Sequence, residues 1–368
     1  MHIPTFTAAL ISSLIVVQAH PGHDINHEIE ERAKALENIP RDISHCAAKL
    51  KARGHQERTI SRRSALLTAE REKRGLATDP SFIKARDINA ELNARDAASV
   101  LATNHSSPVV YTPETSTDIL FAGNQSCVLV PEVTEGPYYV SGEFIRSDVR
   151  EIGHEKGVDL ILDIQVIDVS TCEPVPDVMI DLWHANSTGV YSGVVASTNG
   201  NSADASNINT THSRGLQPTD SDGVAQFTTF YPGHYTGRTN HIHVATHVNG
   251  VILPNNTFTG TTVSHIGQLF FDQSLTTQVE ATSPYSTNKQ VLTTNARDGI
   301  FAQEAAVGDP VVEYSLLSAN VADGIFSWIA FGIDVEREAS IRAAAVYGAN
   351  GGVANSNGGG GPGGPPPS

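Results

Sequence analysis

From about residue 119 to residue 340 the sequence predicts an all-β core, a β-sandwich, with a helical extension before it and a disordered Gly/Pro-rich tail after it. Three observations carry this prediction. Short segments alternate apolar and polar residues with the period of a strand. Gly, Pro, Asn and Asp separate those segments as turn residues do. The texture also changes near residue 120 from the charge-rich, helix-patterned stretch that precedes it. The implied organisation is a leader over 1–19, a helical extension and linker over 20–118, the sandwich over 119–340 and the tail over 341–368.

Residues 6–19, FTAALISSLIVVQA, form an apolar run too short to cross a bilayer, and Val17 and Ala19 occupy the small-residue positions of a cleavage site. A secreted, extracellular protein is the expectation, although the run is not preceded by Lys or Arg. Asn-x-Ser/Thr sites at Asn104, Asn124, Asn186, Asn209 and Asn255 agree with it as candidate glycan acceptors. The chain has three cysteines, Cys46, Cys127 and Cys172. In an oxidising compartment one disulfide is expected, and Cys127 with Cys172 is favoured because both flank the first core strand. Cys46 would then be free or paired between chains.

Over 25–75, Ile29, Leu36, Ile39, Ile43 and Leu50 recur at helical intervals, with Pro40 dividing the stretch. Arg53, Arg58, Arg62, Arg63, Arg71, Lys73 and Arg74 give its second half a basic face. That face suits packing on an acidic domain or on a second subunit, which would make a homodimer through the N-terminal helices. Residues 76–118 lack sustained periodicity and read as a linker or extended wrap.

In the core, GVDLILDIQVIDV places Val158, Leu160, Leu162, Ile164 and Val166 on one face before a TCEPVPD turn. VMIDLWHA follows with Val178, Ile180 and Leu182 inward, and TDSDGVAQFTTF is a turn leading into a third strand. NHIHVATHVNGVIL reads as a strand running into an Asn249-Gly250 hairpin turn. LFF near 270 and GIFSWIAFGID near 330 supply further buried strands. The tail GANGGVANSNGGGGPGGPPPS is disordered by composition and holds no apolar anchor.

The formal charge is −16, unevenly spread. Residues 1–100 hold 15 of the 24 Lys and Arg against 13 acids, and the remainder holds 9 against 27. Such a surface excludes a phosphate-backbone partner, so no nucleic acid is expected. It also makes any arginine inside a candidate site conspicuous.

The stretch FYPGHYTGRTNHIHVATHV carries the chemistry. Alternation puts His241 and His243 on one face of a strand, roughly 6.5 Å apart at Cα, close enough for both imidazoles to reach one metal ion. Tyr235 precedes them in a turn, and Tyr191 sits in a loop after a buried strand, where a rigid scaffold presents functional groups. Four pieces in order, CVLVPEVTEGPYY, LWHANSTGVY, PGHYTGRTNHIH and GQLFF, resemble the intradiol ring-cleavage dioxygenases over about residues 120–335. The glycine-rich tail and leader resemble extracellular, fungal-type members, and the short Tyr235–His241 spacing is nearer the protocatechuate type than the catechol type.

The resemblance implies that Tyr191, Tyr235, His241 and His243 are ligands of a non-haem Fe(III), a hard ion suited to phenolate and imidazole donors. It implies that Arg238 stabilises negative charge developing during reaction, that Gln268 lies near the substrate, and that Tyr235 yields its place when the diol binds. Substrates would be a catechol-type diol and O2, and the product a cis,cis-muconate-type diacid. Tyr138 and Tyr139 are expected to line the pocket, His184 to be structural and His247 to hydrogen-bond elsewhere.

A second reading is a transthyretin-like sandwich that binds cell-wall sugars or phenolics without turnover. A cupin-type oxygenase would need a Glu shortly after the HxH pair, where Ala245, Thr246 and His247 stand. Cleavage after Ala19 would also expose His20 and His23 as a copper-chelating end.

Overall fold

The structure is a computed structural model describing residues 43–76, 97–106 and 136–355, apart from 154, 201, 202 and 307. Eight strands build the sandwich: Asp159–Asp168 (β1), Met179–Trp183 (β2), Arg214–Pro218 (β3), Val224–Phe230 (β4), His241–His247 (β5), His265–Phe270 (β6), Glu313–Leu316 (β7) and Ile325–Ile333 (β8). They form two four-stranded sheets, ordered β6-β5-β2-β3 and β7-β8-β1-β4. Every pairing within them is antiparallel except that of β8 with β1. The strand that opens the sandwich and the strand that completes it are thus neighbours.

Between the sheets, the predicted inward residues meet: Leu160, Leu162, Ile164 and Val166 from β1, Ile180 and Leu182 from β2, and Ile242 and Val244 from β5. Nearly all of β1 is buried, on both faces. The reason is a helical pair, Ala47–Ala52 (α1) and His55–Lys73 (α2), laid over the outer face of its sheet. Ile60 and Leu67 of α2 pack on Ile161, Phe326 and Trp328.

The basic face of α2 engages this same sheet. Arg63 Nε donates to Asp163 Oδ1 at 2.8 Å, and Arg62 reaches both oxygens of Asp163 at 3.1 Å. Burial alone would raise the Asp163 pKa, but Arg63 and Arg62 outweigh it and hold the carboxyl below its usual value. Arg71 donates to the carbonyls of Leu317 and Leu316 at 3.1 and 3.2 Å. The expected packing of the helix on the acidic domain is therefore met within one chain. Among the described residues no helix is long and apolar enough to cross a membrane.

The expected Cys127–Cys172 disulfide is corrected. Cys172 is bonded to Cys46, with Cα atoms 5.1 Å apart. Cys46, at the start of α1, packs with Ile43 and Leu50 against Ile167 and Val169 at the end of β1, which brings it to Cys172. Closing a loop with a sequence separation of 126 restricts the unfolded chain and ties the helices to the sandwich. Cys127 lies outside the described residues, as do the leader, His20, His23 and Pro40.

The supposed linker contains a helix, Ala97–Ala102 (α3), whose Val100 packs against Phe270, Ile300 and Phe301. Just after it, buried His105 has Nδ1 at 2.6 Å from Asp272 Oδ1 and Nε2 at 2.9 Å from Asp309 Oδ2. Burial lowers its pKa, but Asp309 and Asp272 together raise it well above the ordinary histidine value. A raised folded pKa means that stability from this charge is complete below the unfolded pKa of about 6.5 and is lost as pH climbs through the folded value. The stability gap between the natural chain and His105→Gln, measured by urea denaturation, is expected to narrow steadily as pH rises above about 6.5. A gap independent of pH would mean that the ring carries no charge.

Two further expectations are corrected. Asn249-Gly250 is not a hairpin turn. Strand β5 pairs with β6 instead, and the small hairpin is Val251–Ile252 with Phe258–Thr259, turning at Asn256 in the left-handed region (φ 61°). The region assigned to the disordered tail contains an antiparallel pair, Ala345–Gly348 with Gly351–Ala354, whose first strand also pairs with Val140–Ser141. The structured part thus extends to residue 355.

Candidate metal centre

Because Ile242 and Val244 face the core, His241, His243, Ala245 and His247 face outward from β5. This outer face is buried as well. Loops carrying Tyr138, Tyr191 and Tyr235, together with Ile341 and Ala345, close over it as a second apolar cluster with Trp183 and Ala245. Strand register sets one buried row across the sheet, Gln268, His243, Trp183 and Arg214. The indole of Trp183 stacks on His243 at 4.9 Å and 6°, fixing the imidazole plane.

Tyr191 is held by its backbone. Its N–H donates to Asn199 Oδ1 at 2.8 Å, and its carbonyl accepts from the side-chain amides of Asn199 and Asn207, both at 2.8 Å. Gly189, at φ 80°, lets this loop touch the Tyr235 turn, because a Cβ there would stand 2.1 Å from the His234 carbonyl. Tyr235 opens a turn closed by the Arg238 N–H on its carbonyl at 3.1 Å.

The four predicted ligands come together. Tyr191 Oη lies 3.3 Å from His241 Nε2, which lies 3.1 Å from His243 Nε2. The Tyr235 ring stands 5.5 Å from Tyr191 and 5.6 Å from His241 between centroids. His241 Nδ1 donates to the Thr239 carbonyl at 2.6 Å, which leaves the Nε2 lone pair facing the cluster, as a metal-binding imidazole requires. Among the described residues the buried Tyr235 hydroxyl meets no hydrogen-bond partner of normal geometry. Burial raises the pKa of both phenols, an effect that Arg238 opposes in each case. A hard cation would supply the charge that makes phenolates stable here, and its binding would release protons. The donor set fits Fe(III).

Arg238 is fully buried beside this cluster. Its Nε donates to Asp298 Oδ2 at 2.8 Å and its Nη2 to Gln268 Oε1 at 2.5 Å. Among the described residues Arg238 Nη1 and Gln268 Nε2 are buried donors without a hydrogen-bond partner, a pair suited to an anionic oxygen. Asp298 was not anticipated from sequence. One of its oxygens caps the helix Gly299–Ala305 (α4) at Ile300 and Phe301, and the other also accepts from the Thr239 N–H, so one carboxylate aligns Arg238 with the start of the histidine strand. A DG step before a short helix hints at the cap, but nothing local links it to Arg238.

The remaining expectations divide. Tyr138 stacks on Tyr191 at 4.6 Å and meets Tyr235 edge-on at 5.9 Å, so it lines the site. Tyr139 instead packs on the far side of Trp183, toward His247. His184 is structural, bonded to Thr229 Oγ1 at 2.7 Å and to the Ala185 carbonyl at 2.8 Å, and burial lowers its pKa to about 4. His247 bonds Asp181 Oδ2 at 3.1 Å, away from the cluster. Arg214, also unanticipated, donates to the carbonyls of Ser192 and Tyr138 at 2.8 and 2.6 Å, pinning the two stacked tyrosine segments, with Glu143 as its counter-ion at 3.0 Å.

Fold and site together define a β-sandwich protein with a buried tyrosine–histidine centre whose donors suit an oxophilic metal. Residues 134–304 match the family model described as Dioxygenase. The intradiol ring-cleavage dioxygenase of Tetranychus urticae is 30% identical, over 57% of this chain and 96% of its own, with a TM-score of 0.47. The dioxygenase domain of a dioxygenase carbohydrate-binding protein fusion from Streptomyces sp. SirexAA-E is 24% identical over 55% and 97%, with a TM-score of 0.35. A catechol 1,2-dioxygenase from Acinetobacter is 19% identical over 56% and 62%, with a TM-score of 0.33. No curated protein matches. On the sequence match, the chain belongs to the intradiol ring-cleavage dioxygenases, a family of oxidoreductases.

Proposed function

We propose that this chain is a secreted, non-haem Fe(III) enzyme that opens catechol-type diols between the two hydroxyls with O2, giving cis,cis-muconate-type diacids. The observation that carries the reading is the convergence of Tyr191, Tyr235, His241 and His243, with an imidazole tautomer set for ligation. When bound, Fe(III) would make the diol ring reactive toward O2. The chain's own residues do the rest. Tyr235 Oη, next to Arg238, would in its ionised form take up one diol proton. The spare donors of Arg238 and Gln268 would hold the anionic oxygen that results and the charge that follows. The apolar cover from Tyr138, Val194 and Ile341 keeps water out, which strengthens those interactions.

The test is a visible spectrum of protein purified with iron, before and after a catechol is added without oxygen. A tyrosinate charge-transfer band that shifts with catechol supports the reading. A colourless chain that takes up no iron would favour the non-catalytic sugar- or phenolic-binding sandwich instead. Secretion is part of the proposal, and the absence of residues 1–19 from the mature protein would support it. A homodimer, if formed, would use a face of α2 other than the one buried on its own sheet, and sedimentation would reveal it.

A further inference from the structure

Both histidines stand on a strand, but both tyrosines stand on loops, and something must fix those loops relative to each other. The segment 288–290 lies across them. The Gln290 side chain donates from Nε2 to the carbonyls of Thr188 and Gly189 at 3.2 and 3.0 Å, in the Tyr191 loop. Its Oε1 accepts from the Thr236 N–H at 3.1 Å, in the Tyr235 turn. These partners fix the amide orientation, since an N–H needs the oxygen and two carbonyls need the NH2.

The surroundings are shaped for that amide. A Cβ at Gly189 or Gly200 would stand 2.4 or 2.6 Å from Gln290 Nε2. The main chain is held as well. Asn288 Nδ2 donates to the His234 carbonyl at 2.8 Å, Asn288 Oδ1 accepts from the Gln290 N–H at 3.0 Å, and His234 Nε2 lies 3.1 Å from the Gln290 carbonyl. The two loops also meet directly, where the Gly233 N–H donates to the Asn186 carbonyl at 3.1 Å.

We propose that Gln290 is a positioning residue for the metal centre: its amide sets the separation of the Tyr191 and Tyr235 phenols, and hence how tightly and in what geometry they bind the ion. The proposal rests on the iron reading given above. The Gln290 side chain bonds to backbone groups of both loops, so its effect would travel through the two backbones it joins.

The experiment compares the iron-loaded natural chain with Gln290→Leu, Gln290→Glu and the exposed neighbour variant Val291→Ser. Iron release to excess chelator and the position of the tyrosinate charge-transfer band are read, alongside the melting temperature of the metal-free proteins. Groups that orient ligands typically alter metal affinity roughly 10- to 100-fold. Gln290→Leu is therefore expected to release iron at least about tenfold faster and to shift the band, with Val291→Ser unchanged. Gln290→Glu keeps the acceptor for Thr236 but sets a carboxylate against two carbonyls, so it should behave like Gln290→Leu. It also decides the matter if the leucine variant does not fold. A natural-chain band with both Gln290 variants matching it in band and release overturns the positioning role alone. A natural chain with no iron and no band overturns the iron reading, and this proposal with it.

Discussion

Tyr191→Phe is expected to lose iron and ring-cleaving activity together. The change removes one oxygen and leaves the ring, so stacking on Tyr138 and the edge contact with Tyr235 persist and the fold should hold. What disappears is the hydroxyl 3.3 Å from His241 Nε2, a donor to the centre. Losing a direct ligand should cost more than the roughly 10- to 100-fold that altering a group behind a ligand costs. His243→Ala should do the same, and in addition it leaves the Trp183 indole without its stacking partner. Iron per chain, measured together with the charge-transfer absorbance, checks both variants. Unchanged iron in the two would refute the ligand assignment.

The second large effect belongs to Arg238. Arg238→Ala is expected to keep its iron and lose turnover by about 10²- to 10³-fold, because its spare donor would act on charge that develops during reaction. Removing a buried cation normally strands its partner. Here Asp298 would still accept from the backbone N–H groups of Thr239, Ile300 and Phe301, so its carboxylate stays solvated by the fold. The variant should therefore fold, and the loss should fall on kcat more than on iron content. Natural kinetics in Arg238→Ala would remove the residue from the mechanism.

Much of the centre was legible because it is local. Two histidines at i and i+2 on a strand must share a face, and an arginine three residues earlier lies in the turn that feeds that strand. The partners that complete it are remote. Asp298 stands 60 residues beyond Arg238, and Gln290 lies 54 beyond Thr236, with no periodicity linking either pair. The disulfide was misjudged for a related reason. Proximity to the first core strand in sequence favoured Cys127, whereas the packing of a helix on the outer face of that strand delivered Cys46. A clue was present in DLILDIQVID, where Ile161 and Ile167 stand on the face that alternation alone would leave to solvent. Apolar residues on both faces announce that something covers the sheet. The glycine-rich end misled in the opposite sense, since composition argues against strands but cannot exclude a short pair that borrows an edge at Val140–Ser141.

The parallel seam between β8 and β1 bears on how the protein is made. Ile325 must find Leu160 across most of the domain, a contact that forms late because non-local pairing limits folding rate. Translation runs from the N-terminus at about 5–20 residues per second, so the segment with both histidines emerges well before β8. Until β8 arrives, the sheet that backs the histidine strand lacks one of its two central members. The nascent chain thus passes through an interval in which Tyr191, Tyr235, His241 and His243 have all been synthesised while the sheet behind them is incomplete; on the iron reading proposed above, selective metal capture would have to wait for the domain to close.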